Sequence, residues 1–337
     1  SGVMDQRSAA LANLLVGNQE EEAVLEITML GPSMEFTEDI IIAVTGADLG
    51  AKLDKAELPR YQAVLVRAGQ TVSFAGIRSG SRAYVAFAGG LKVPMVMGSR
   101  STNLKSKIGG FEGRKIGAGD EIPFAAPKTF LLHMADRKLD AEDFSAREHT
   151  LRVVMGPQDD YFTEQGIETF LTGEYTISNE YDRMGCRMQG PVIEHKNGGD
   201  IITDGISFGS VQVPSHGNPI VMMADHQTTG GYTKIASVIT TDLPILAQSM
   251  PGHKIHFQKI SIEEAQEIFC AWKQELKALD QKWNTAPEPA SDVQAAALSA
   301  AVCEHKSGYA AKSTYRVVVN GEEFLVELER EEEPFRE

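Results

Sequence analysis

Amide and hydroxyl side chains gather in front of a pair of glycines in the second half of the sequence. Gln227, Thr228 and Thr229 directly precede Gly230 and Gly231. Amides and hydroxyls can hydrogen-bond a polar ligand, and glycine lets the ligand approach the backbone closely. The segment therefore predicts one wall of a ligand cleft, although Thr and Gly also build ordinary turns.

Another amide side chain lies just upstream of this segment. Two short apolar runs, residues 209–213 and 219–223, predict strands, and Gln212 lies in the first of them, just before Val213-Pro214. The strands lead into residues 226–233, which we expect to form a loop. Gln212 and Gln227 are then candidates to bind the same polar ligand.

Arginines in two glycine-containing stretches are candidates to bind an anion. Residues 98–119 are rich in Gly and Ser and too long for a hairpin turn, and loops of this length are often functional. Arg100 lies there beside Ser and Thr, a setting that suits charge-assisted hydrogen bonds to an anion. Arg183 lies between Asp182 and a glycine turn. Both observations also fit a solvated arginine or a structural salt bridge.

Motifs of common nucleotide and metal sites are absent from the sequence. There is no phosphate loop ending in Gly-Lys-Ser/Thr, no Gly-x-Gly-x-x-Gly after a strand, no His-Glu-x-x-His and no Gly-x-Ser-x-Gly. A nucleotide must therefore be held by another device. His216, His226 and Asp225 could meet near one turn, but such histidines are more often surface groups that hydrogen-bond, so we predict no metal site.

Composition narrows the classes of partner and compartment. The sequence of 337 residues holds 32 Lys and Arg against 47 Asp and Glu, which gives a net charge of −15. Nucleic acid and anionic membranes are polyanions, so neither is expected as a partner. Three widely spaced cysteines disfavour disulfides or a zinc site and indicate a reducing compartment. No apolar run of about 18 residues and no secretory leader is visible, so we expect a cytoplasmic protein.

Periodicity predicts a mainly β chain with flanking helices, an α+β class. Short β-type runs separated by turn residues fill residues 24–87 and recur after residue 150, which suggests barrels or sandwiches. Helices are expected at residues 5–16, capped by Asp5, and at 261–282, where Ser261 and Glu264 form a capping box and the apolar face is expected to be core. Residues 315–319 and 324–328 flank Asn320-Gly321, a strong hairpin signal.

Composition shifts divide the chain into five parts. We expect an N-terminal β-rich subdomain at residues 1–130, a charged connection at 131–148 and a second subdomain at 149–283. Residues 284–312 have the composition of a linker. Residues 313–337 hold the predicted hairpin and an acidic tail, which we expect to be solvated.

Several motifs, found in order along the chain, resemble those of the biotin-dependent carboxyltransferase or KipA family. The longest reads Ala-Asp-His-Gln-Thr-Thr-Gly-Gly-Tyr-Thr at residues 224–233, and a second reads Tyr-Val-Ala-Phe-Ala-Gly-Gly-Leu-Lys-Val-Pro at 84–94. The family includes the C subunit of 5-oxoprolinase, the second subunit of allophanate hydrolase and the carboxyltransferase half of urea carboxylase. Shorter matches lie at residues 98–102, 109–114, 156–158, 182–185, 204–205 and 212–214.

The resemblance implies two cyclophilin-like β-barrel subdomains and one component of an ATP-dependent 5-oxoprolinase, which opens the ring of 5-oxoproline to give glutamate. It implies a KipI-type partner, the B subunit of 5-oxoprolinase, and a lactam-utilisation-type partner, the A subunit. ATP, with Mg²⁺ as its counter-ion, is the implied cofactor. The predicted hairpin resembles the start of a biotinyl domain, but no Met-Lys-Met acceptor follows it, so we expect no covalently attached biotin.

Together, the residue patterns and the resemblance give a set of expected site residues. Arg183, Gln227 and Thr228 are expected to be catalytic, through contacts to the phosphoryl or carboxylate charge and to the ring amide. The expected substrate-binding residues are Arg100, Gln212, Thr229, Gly230, Gly231 and Tyr232. Two other functions fit the same resemblance: a KipA-type regulatory protein that binds an inhibitor of a histidine kinase, and the carboxyltransferase component of a biotin-dependent carboxylase.

Overall fold

The computed structural model of this chain describes residues 1–125 and 134–284, together with the backbone of residues 312–319 and 322–329. Contacts divide the chain into two units, Ser1–Thr285 and Ala286–Glu337. Among the described residues, no helix is long and apolar enough to cross a lipid bilayer.

One helix and two antiparallel sheets form the N-terminal half of the first unit. Helix α1 spans Gln6–Leu15, and the Asp5 carboxylate caps it by accepting a hydrogen bond from the Ser8 amide, as expected. The strands are β1 (Leu25–Thr28), β2 (Met34–Glu35), β3 (Ile40–Asp48), β4 (Ala51–Leu53), β5 (Ala56–Glu57), β6 (Ala63–Val66), β7 (Thr71–Phe74) and β8 (Ser79–Phe87). One sheet has the strand order β1-β8-β3-β6 and the other β2-β7-β4-β5.

The C-terminal half contains a closed barrel of seven strands. Its elements are β9 (Glu148–Met155), α2 (Glu164–Thr172), β10 (Tyr175–Tyr181), β11 (Gly185–Gln189), β12 (Asp200–Gly205), β13 (Ser210–Val213), β14 (Ile220–Met222), β15 (Thr229–Val238), α3 (Leu243–Gln248), β16 (Lys254–Lys259) and α4 (Ile262–Asn284). The ring runs β9-β15-β13-β14-β11-β10-β16 and closes where β16 pairs in parallel with β9. Strand β12 lies outside the ring and pairs with β15. The predicted mainly β fold with flanking helices is confirmed.

Each half has its own apolar core. Strand β3 is buried along almost its whole length, because Ala9 and Ala12 of α1 belong to the same cluster as Ile42. In the barrel, burial alternates along the strands as a one-faced core requires: Tyr175 and Ile177 of β10 are buried and their neighbour Thr176 is not fully so. The boundaries of the predicted domains stay a prediction.

Helix α3 joins the two halves through the amide of its last residue. The Gln248 Oε1 atom accepts hydrogen bonds from the backbone amides of Ser81 and Arg82 at 3.1 and 3.0 Å. Its Nε2 atom donates to the Asp5 carboxylate at 2.7 Å and to the Arg82 carbonyl at 2.9 Å. Gln248 is only 2% exposed, so this polar joint is shielded from water.

Two predictions on local structure are wrong. Residues 226–233 are not all loop, because β15 begins at Thr229 and its first residues pair with β12. The apolar face of α4 is core only in its second half, where Leu276 packs near Ala10 and Leu11. In the first half, Ile262 and Phe269 are 56% and 40% exposed. The predicted cap is present, since the Glu264 amide donates to the Ser261 hydroxyl at 3.0 Å.

The second unit contains the predicted hairpin. Strands β17 (Lys312–Val319) and β18 (Glu322–Glu329) pair in antiparallel register from end to end, which confirms the prediction. The predicted Asn320-Gly321 turn, the acidic tail after residue 329 and most of the predicted linker lie outside the described residues, as do residues 126–133 near the start of the predicted connection.

Candidate functional site

A cleft of about 360 Å³ lies beside the barrel where β12 and β15 pair. Val211 and Val213 of β13 belong to the barrel core, so Gln212 between them points to the opposite face of the strand. Ile235 of β15 is likewise a core residue, and Lys234 points away from the core. The cleft is lined by Pro157, Asp204, Gly205, Ile206, Ser207, Ser210, Thr228, Lys234, Ala236 and Ser237.

A buried ammonium group and a carboxylate form the charged centre of this cleft. Lys234 is only 4% exposed, and its Nζ atom lies 2.7 Å from Oδ2 of Asp204, whose side chain is half exposed. The hydrogen bond from Lys234, followed by those from the Gly205 amide and the Gln158 side chain, lowers the pKa of Asp204 below its ordinary value. Asp204 therefore keeps its negative charge at neutral pH.

The backbone holds this ion pair in place. Asp204 pairs with Gly230 across the β12–β15 ladder, and a bulge separates this pairing from that of Asp200 with Tyr232. Gln158, in the turn after β9, accepts a hydrogen bond from the Lys234 amide and donates one to Asp204. The cation thus comes from a barrel strand and its counter-ion from the strand outside the ring.

Hydroxyl groups form a further part of the cleft wall. The Ser207 and Ser210 hydroxyls lie 2.9 Å apart, and the Ser207 amide donates to the Ser210 hydroxyl at 3.2 Å. Ser237, which pairs with Ser210 across β13 and β15, also lines the cleft. Hydroxyls can donate or accept, so this wall suits an oxygen-rich ligand.

The structure brings three of the predicted site residues together next to this cleft. The amide nitrogens of Gln212 and Gln227 lie 3.1 and 3.7 Å from the position that a Cβ atom on Gly230 would occupy. Gln212 is 2% exposed, and its Nε2 atom has no hydrogen-bond partner among the described residues. A buried donor without an acceptor is costly, about 1–3 kcal/mol, so this amide is a candidate to receive a ligand oxygen.

The remaining residues of the predicted glycine segment lie around this group. Thr228 lines the cleft, and its carbonyl accepts a hydrogen bond from the Ile206 amide at 2.9 Å. Thr229, Gly231 and Tyr232 lie on the part of β15 that pairs with β12, where Thr229 and Tyr232 are exposed. The segment is therefore an open two-stranded ribbon at the edge of the cleft.

Arg183 is held by the protein itself. Its guanidinium forms ion pairs with Glu26 of β1 and Asp225, at 2.8 Å for Nε to Asp225, and also donates to the Gly2 carbonyl. Burial works against the charged form of Asp225, but the hydrogen bonds and charge of Arg183 hold the pKa of Asp225 below its ordinary value. Arg183 thus ties the start of the Gln227 segment to the N-terminal half, and its catalytic role stays a prediction.

The Lys234–Asp204 ion pair has no described contact with Arg100, His226 or Cys186. Arg100 pairs with Glu22 at 3.1 Å in the N-terminal half, and no described contact joins it to the cleft. The His226 Nδ1 atom lies 2.7 Å from the Gln227 carbonyl. Cys186 is fully buried, and burial raises the pKa of its thiol well above the ordinary value, which makes it unreactive.

Three side chains on the barrel could hold a metal ion by proximity alone. Ligand atoms of Glu148, Glu174 and His256 lie within 4.8 Å of one another. Lys254 forms an ion pair with Glu174 at 2.8 Å and neutralises part of this charge. The group is distant in sequence from the predicted segment and shares none of the residues that line the cleft.

Sequence reasoning missed the residues that carry the charge of the cleft. Lys234 and Asp204 belong to matched or neighbouring motifs, but neither is among the expected site residues. A signal was present, because Lys234 directly precedes a run of apolar and β-branched residues, where a charged residue needs a partner.

The amino-acid sequence is similar to those of two proteins named as the C subunit of 5-oxoprolinase. The chain is 38% identical to the C subunit of 5-oxoprolinase from Escherichia coli over 264 residues, which cover 78% of this chain and 84% of that protein. It is 36% identical to the C subunit of 5-oxoprolinase from Haemophilus influenzae over 267 residues, 79% and 84% of the two chains.

Two solved structures have a fold similar to that of this chain. A crystal structure of the Kluyveromyces lactis urea amidolyase matches with a TM-score of 0.75 and 27% identity, over 83% of this chain but only 18% of that one. The crystal structure of TTHA0988 matches with a TM-score of 0.69 and 34% identity, over 77% of this chain and 49% of that one. The carboxyltransferase domain family, subdomain A and B, matches residues 1–259. The chain therefore belongs to the carboxyltransferase domain family, subdomain A and B.

Proposed function

We propose that this chain is the C subunit of an ATP-dependent 5-oxoprolinase, a cytoplasmic enzyme that converts 5-oxoproline, ATP and water into glutamate, ADP and phosphate. The observation that carries the proposal is the buried Lys234 with its counter-ion Asp204, in a chain 38% identical to a protein of that name. The chain spans 84% of that relative, so the likeness extends over most of its length.

The substrate fits the chemistry of the cleft. 5-Oxoproline is a small ring with one carboxylate and one lactam amide. The Lys234 ammonium has three N–H groups, and those that Asp204 does not accept suit a single carboxylate, because charge-assisted hydrogen bonds are strong where water is excluded. The free amide of Gln212 and the hydroxyls of Ser207 and Ser210 suit the lactam carbonyl and its neighbouring N–H group.

The reaction needs the lactam carbonyl to be activated. Transfer of the γ-phosphoryl group of ATP to the carbonyl oxygen releases ADP and makes the ring carbon electrophilic. Water then adds to this carbon, and the C–N bond breaks as the nitrogen takes up a proton, which leaves an acyl phosphate. A second water hydrolyses the acyl phosphate, which releases phosphate and leaves the new carboxylate of glutamate. The roles that we propose for this chain are to bind and orient the lactam and to stabilise developing negative charge.

We propose that ATP, with Mg²⁺ as its counter-ion, is held mainly by the partner subunits. The described part of the cleft offers one cation, Lys234, which suits one carboxylate better than a triphosphate. The sequence also contains no phosphate loop. The partners in this proposal are the KipI-type B subunit and the lactam-utilisation-type A subunit. Within this scheme Arg183 positions the Gln227 segment through Asp225.

An assay of the assembled complex tests the proposal. ADP release by the purified chain mixed with its two partner subunits would be measured with 5-oxoproline added or withheld. We expect ADP release that depends on 5-oxoproline, and a loss of about 100-fold or more in Lys234→Met, the scale of removing one charge-stabilising group. Lys259→Met, at an exposed lysine at the end of β16, is the matched control and should leave activity unchanged.

The same assay separates the alternatives. A KipA-type regulator would give no 5-oxoproline-dependent ADP release in any mixture and would instead change the activity of a histidine kinase. A carboxyltransferase component would need a carboxybiotin carrier and would be inhibited by avidin. Either result would replace the proposed function.

A further inference from the structure

The loop of residues 91–116, called the basic loop below, has a charge opposite to the rest of the chain. It contains six Lys and Arg residues and one Glu, a net charge of +5 in a chain whose net charge is −15. The ion pairs of the loop use its two arginines, Arg100 and Arg114. Lys92, Lys107 and Lys115 are exposed, and no described residue forms an ion pair with them. Positive charge is therefore available on one loop of an otherwise acidic molecule.

The basic loop also exposes large apolar side chains. Met97 is 93% exposed and Met95 60%, and Ile108, Ile116 and Leu104 are between 36% and 45% exposed. Isolated exposed apolar residues are ordinary, but several on one loop beside unpaired cations are typical of an interaction surface. Methionine in particular adapts its shape to a partner.

The exposed side chains stand on a rigid support. The base of the loop is closed by a hydrogen bond from the Lys92 amide to the Pro123 carbonyl at 2.8 Å. Within it, the Asn103 amide donates to the Ile108 carbonyl at 2.9 Å. Met97, Lys107 and Glu112 have positive φ angles of 50–55°, which non-glycine residues adopt only when the surroundings hold them there.

Close packing explains the glycines of the loop. A Cβ atom on Gly113 would lie 2.2 Å from the Lys107 carbonyl oxygen, and one on Gly110 would lie 1.9 Å from the Thr102 hydroxyl. Glycine at these two positions allows close packing within the loop, which favours a preorganised conformation. A preorganised surface loses little conformational freedom on binding, which favours affinity.

The basic loop reaches the barrel at the turn between β10 and β11. The Lys105 Nζ atom lies 3.9 Å from the Met184 sulfur, in the turn between β10 and β11 that carries Arg183. Arg183 in turn contacts Asp225, at the start of the Gln227 segment. A protein bound to this loop would therefore lie beside the turn that carries Arg183 and could contact both halves of the chain.

We propose that the basic loop is the docking surface for an acidic, partly apolar face of the KipI-type partner subunit. This inference rests on the proposed function for the identity of the partner. Nucleic acid is disfavoured as the occupant because the remainder of the chain is strongly acidic and repels a polyanion. Opposite charges at the rim and apolar side chains at the centre are the usual arrangement of a specific protein interface.

Binding of the purified KipI-type partner to loop variants of the whole chain tests the inference. Lys105→Glu with Lys107→Glu removes the charge match, and Met95→Ser with Met97→Ser removes the apolar contacts. Both double variants change exposed side chains only, so the fold should be kept, which thermal unfolding would verify. The matched control is Lys55→Glu with Lys277→Glu, at exposed lysines outside the loop.

We expect each loop variant to raise the Kd for the partner by about tenfold or more and the control to change it less than about twofold. The Kd of the unaltered chain should also rise between low and high salt, and less so in the charge variant. Equal Kd values for loop and control variants, or no binding of the partner by the unaltered chain, would overturn the inference.

Two further measurements test whether a second copy of the chain or a membrane binds the basic loop instead. Sedimentation of the chain alone would detect a second copy, and flotation with phosphatidylserine vesicles would detect a membrane. Loop-dependent self-association or vesicle binding, with a partner Kd insensitive to the loop, would assign the surface to that occupant and overturn the proposal. If the complex forms through the loop but 5-oxoproline does not stimulate ADP release, the docking surface stands and the proposed function fails.

Discussion

The Lys234 ammonium, almost completely buried, lies 2.7 Å from the carboxylate of Asp204, whose side chain is half exposed. Removal of Asp204 should therefore destabilise the fold more than removal of Lys234. Asp204 can be hydrated when it is left alone, and it keeps hydrogen bonds from Gln158 and the Gly205 amide. Lys234 cannot reach water without moving.

This asymmetry predicts that the two ends of the pair respond unequally to substitution. Asp204→Asn leaves a buried cation without a counter-ion and should lower the free energy of unfolding, while Lys234→Met should lower it much less. Urea unfolding of both variants measures the difference. Arg78 and Glu57, both exposed, form the control pair, in which Glu57→Gln should leave the free energy of unfolding almost unchanged. Equal decreases in the free energy of unfolding for Asp204→Asn and Lys234→Met would show that the burial of Lys234 does not affect stability.

The unpaired amide of Gln212 predicts a conflict between stability and function. Gln212→Met removes a buried donor that lacks an acceptor and should raise the free energy of unfolding by about 1 kcal/mol, because an unmet hydrogen bond is costly. The same change should raise the KM for 5-oxoproline in the assembled enzyme. Gln248→Met is the contrasting variant, since Gln248 makes four hydrogen bonds, and it should cost about 3 kcal/mol or more. A destabilised Gln212→Met would mean that this amide is satisfied in the folded chain.

The buried carboxyl group of Asp5 predicts a dependence of stability on pH. Burial raises the pKa of Asp5 to about 6, against the hydrogen bonds from Gln248 and Ser8, which lower it. The folded chain therefore keeps this proton to a higher pH than the unfolded chain does. The contribution of Asp5 is most favourable below about pH 4, decreases as the pH rises to about 6, and is constant above that.

Comparison of the unaltered chain with Asp5→Asn isolates this group, because asparagine also caps helices and does not titrate. The difference in unfolding free energy between the two proteins should change by about 2–3 kcal/mol from pH 4 to pH 7, with the unaltered chain losing stability relative to the variant. Chemical unfolding at intervals across this range provides the measurement. A difference that stays constant with pH would contradict the raised pKa.

Two glycines with similar backbone angles predict different tolerance of a methyl group. Gly46 has φ of 77°, and a Cβ atom there would lie 2.4 Å from the Arg82 carbonyl oxygen, beside Gln248. Gly69 has φ of 82° with open space around it. Gly69→Ala should cost about 1 kcal/mol from the left-handed conformation alone, and Gly46→Ala at least about 2 kcal/mol more, from overlap with the joint between the halves. Thermal unfolding of both variants tests this, and similar losses would remove the overlap as a cause.

Local patterns in the sequence determined most of the secondary structure. The runs at Ala63–Val66, Thr71–Phe74 and Lys254–Lys259 could be recognised as strands because β-branched and apolar residues are bounded by turn residues on both sides. The cap at Asp5 and the hairpin of β17 and β18 are likewise signals within a few residues. In the structure Thr228 of the glycine segment lines the cleft and Gly230 lies against Gln212, and a role of this segment in ligand binding stays a prediction.

Only the tertiary structure decided the features that depend on partners far away in the chain. Strand β15 extends through Gly230 and Gly231 because β12 pairs with it, which no local propensity reveals. The sequence suggests that Arg183 binds an anionic ligand. In the fold, Glu26, 157 positions away, forms an ion pair with Arg183 and neutralises its charge. In the sequence, Lys234 is one charged residue beside an apolar run. Only the fold brings Asp204 next to it, and the resulting ion pair lines a cleft. Charges act through space and secondary structure signals act along the chain, so the sequence alone determined the elements and the fold decided the site.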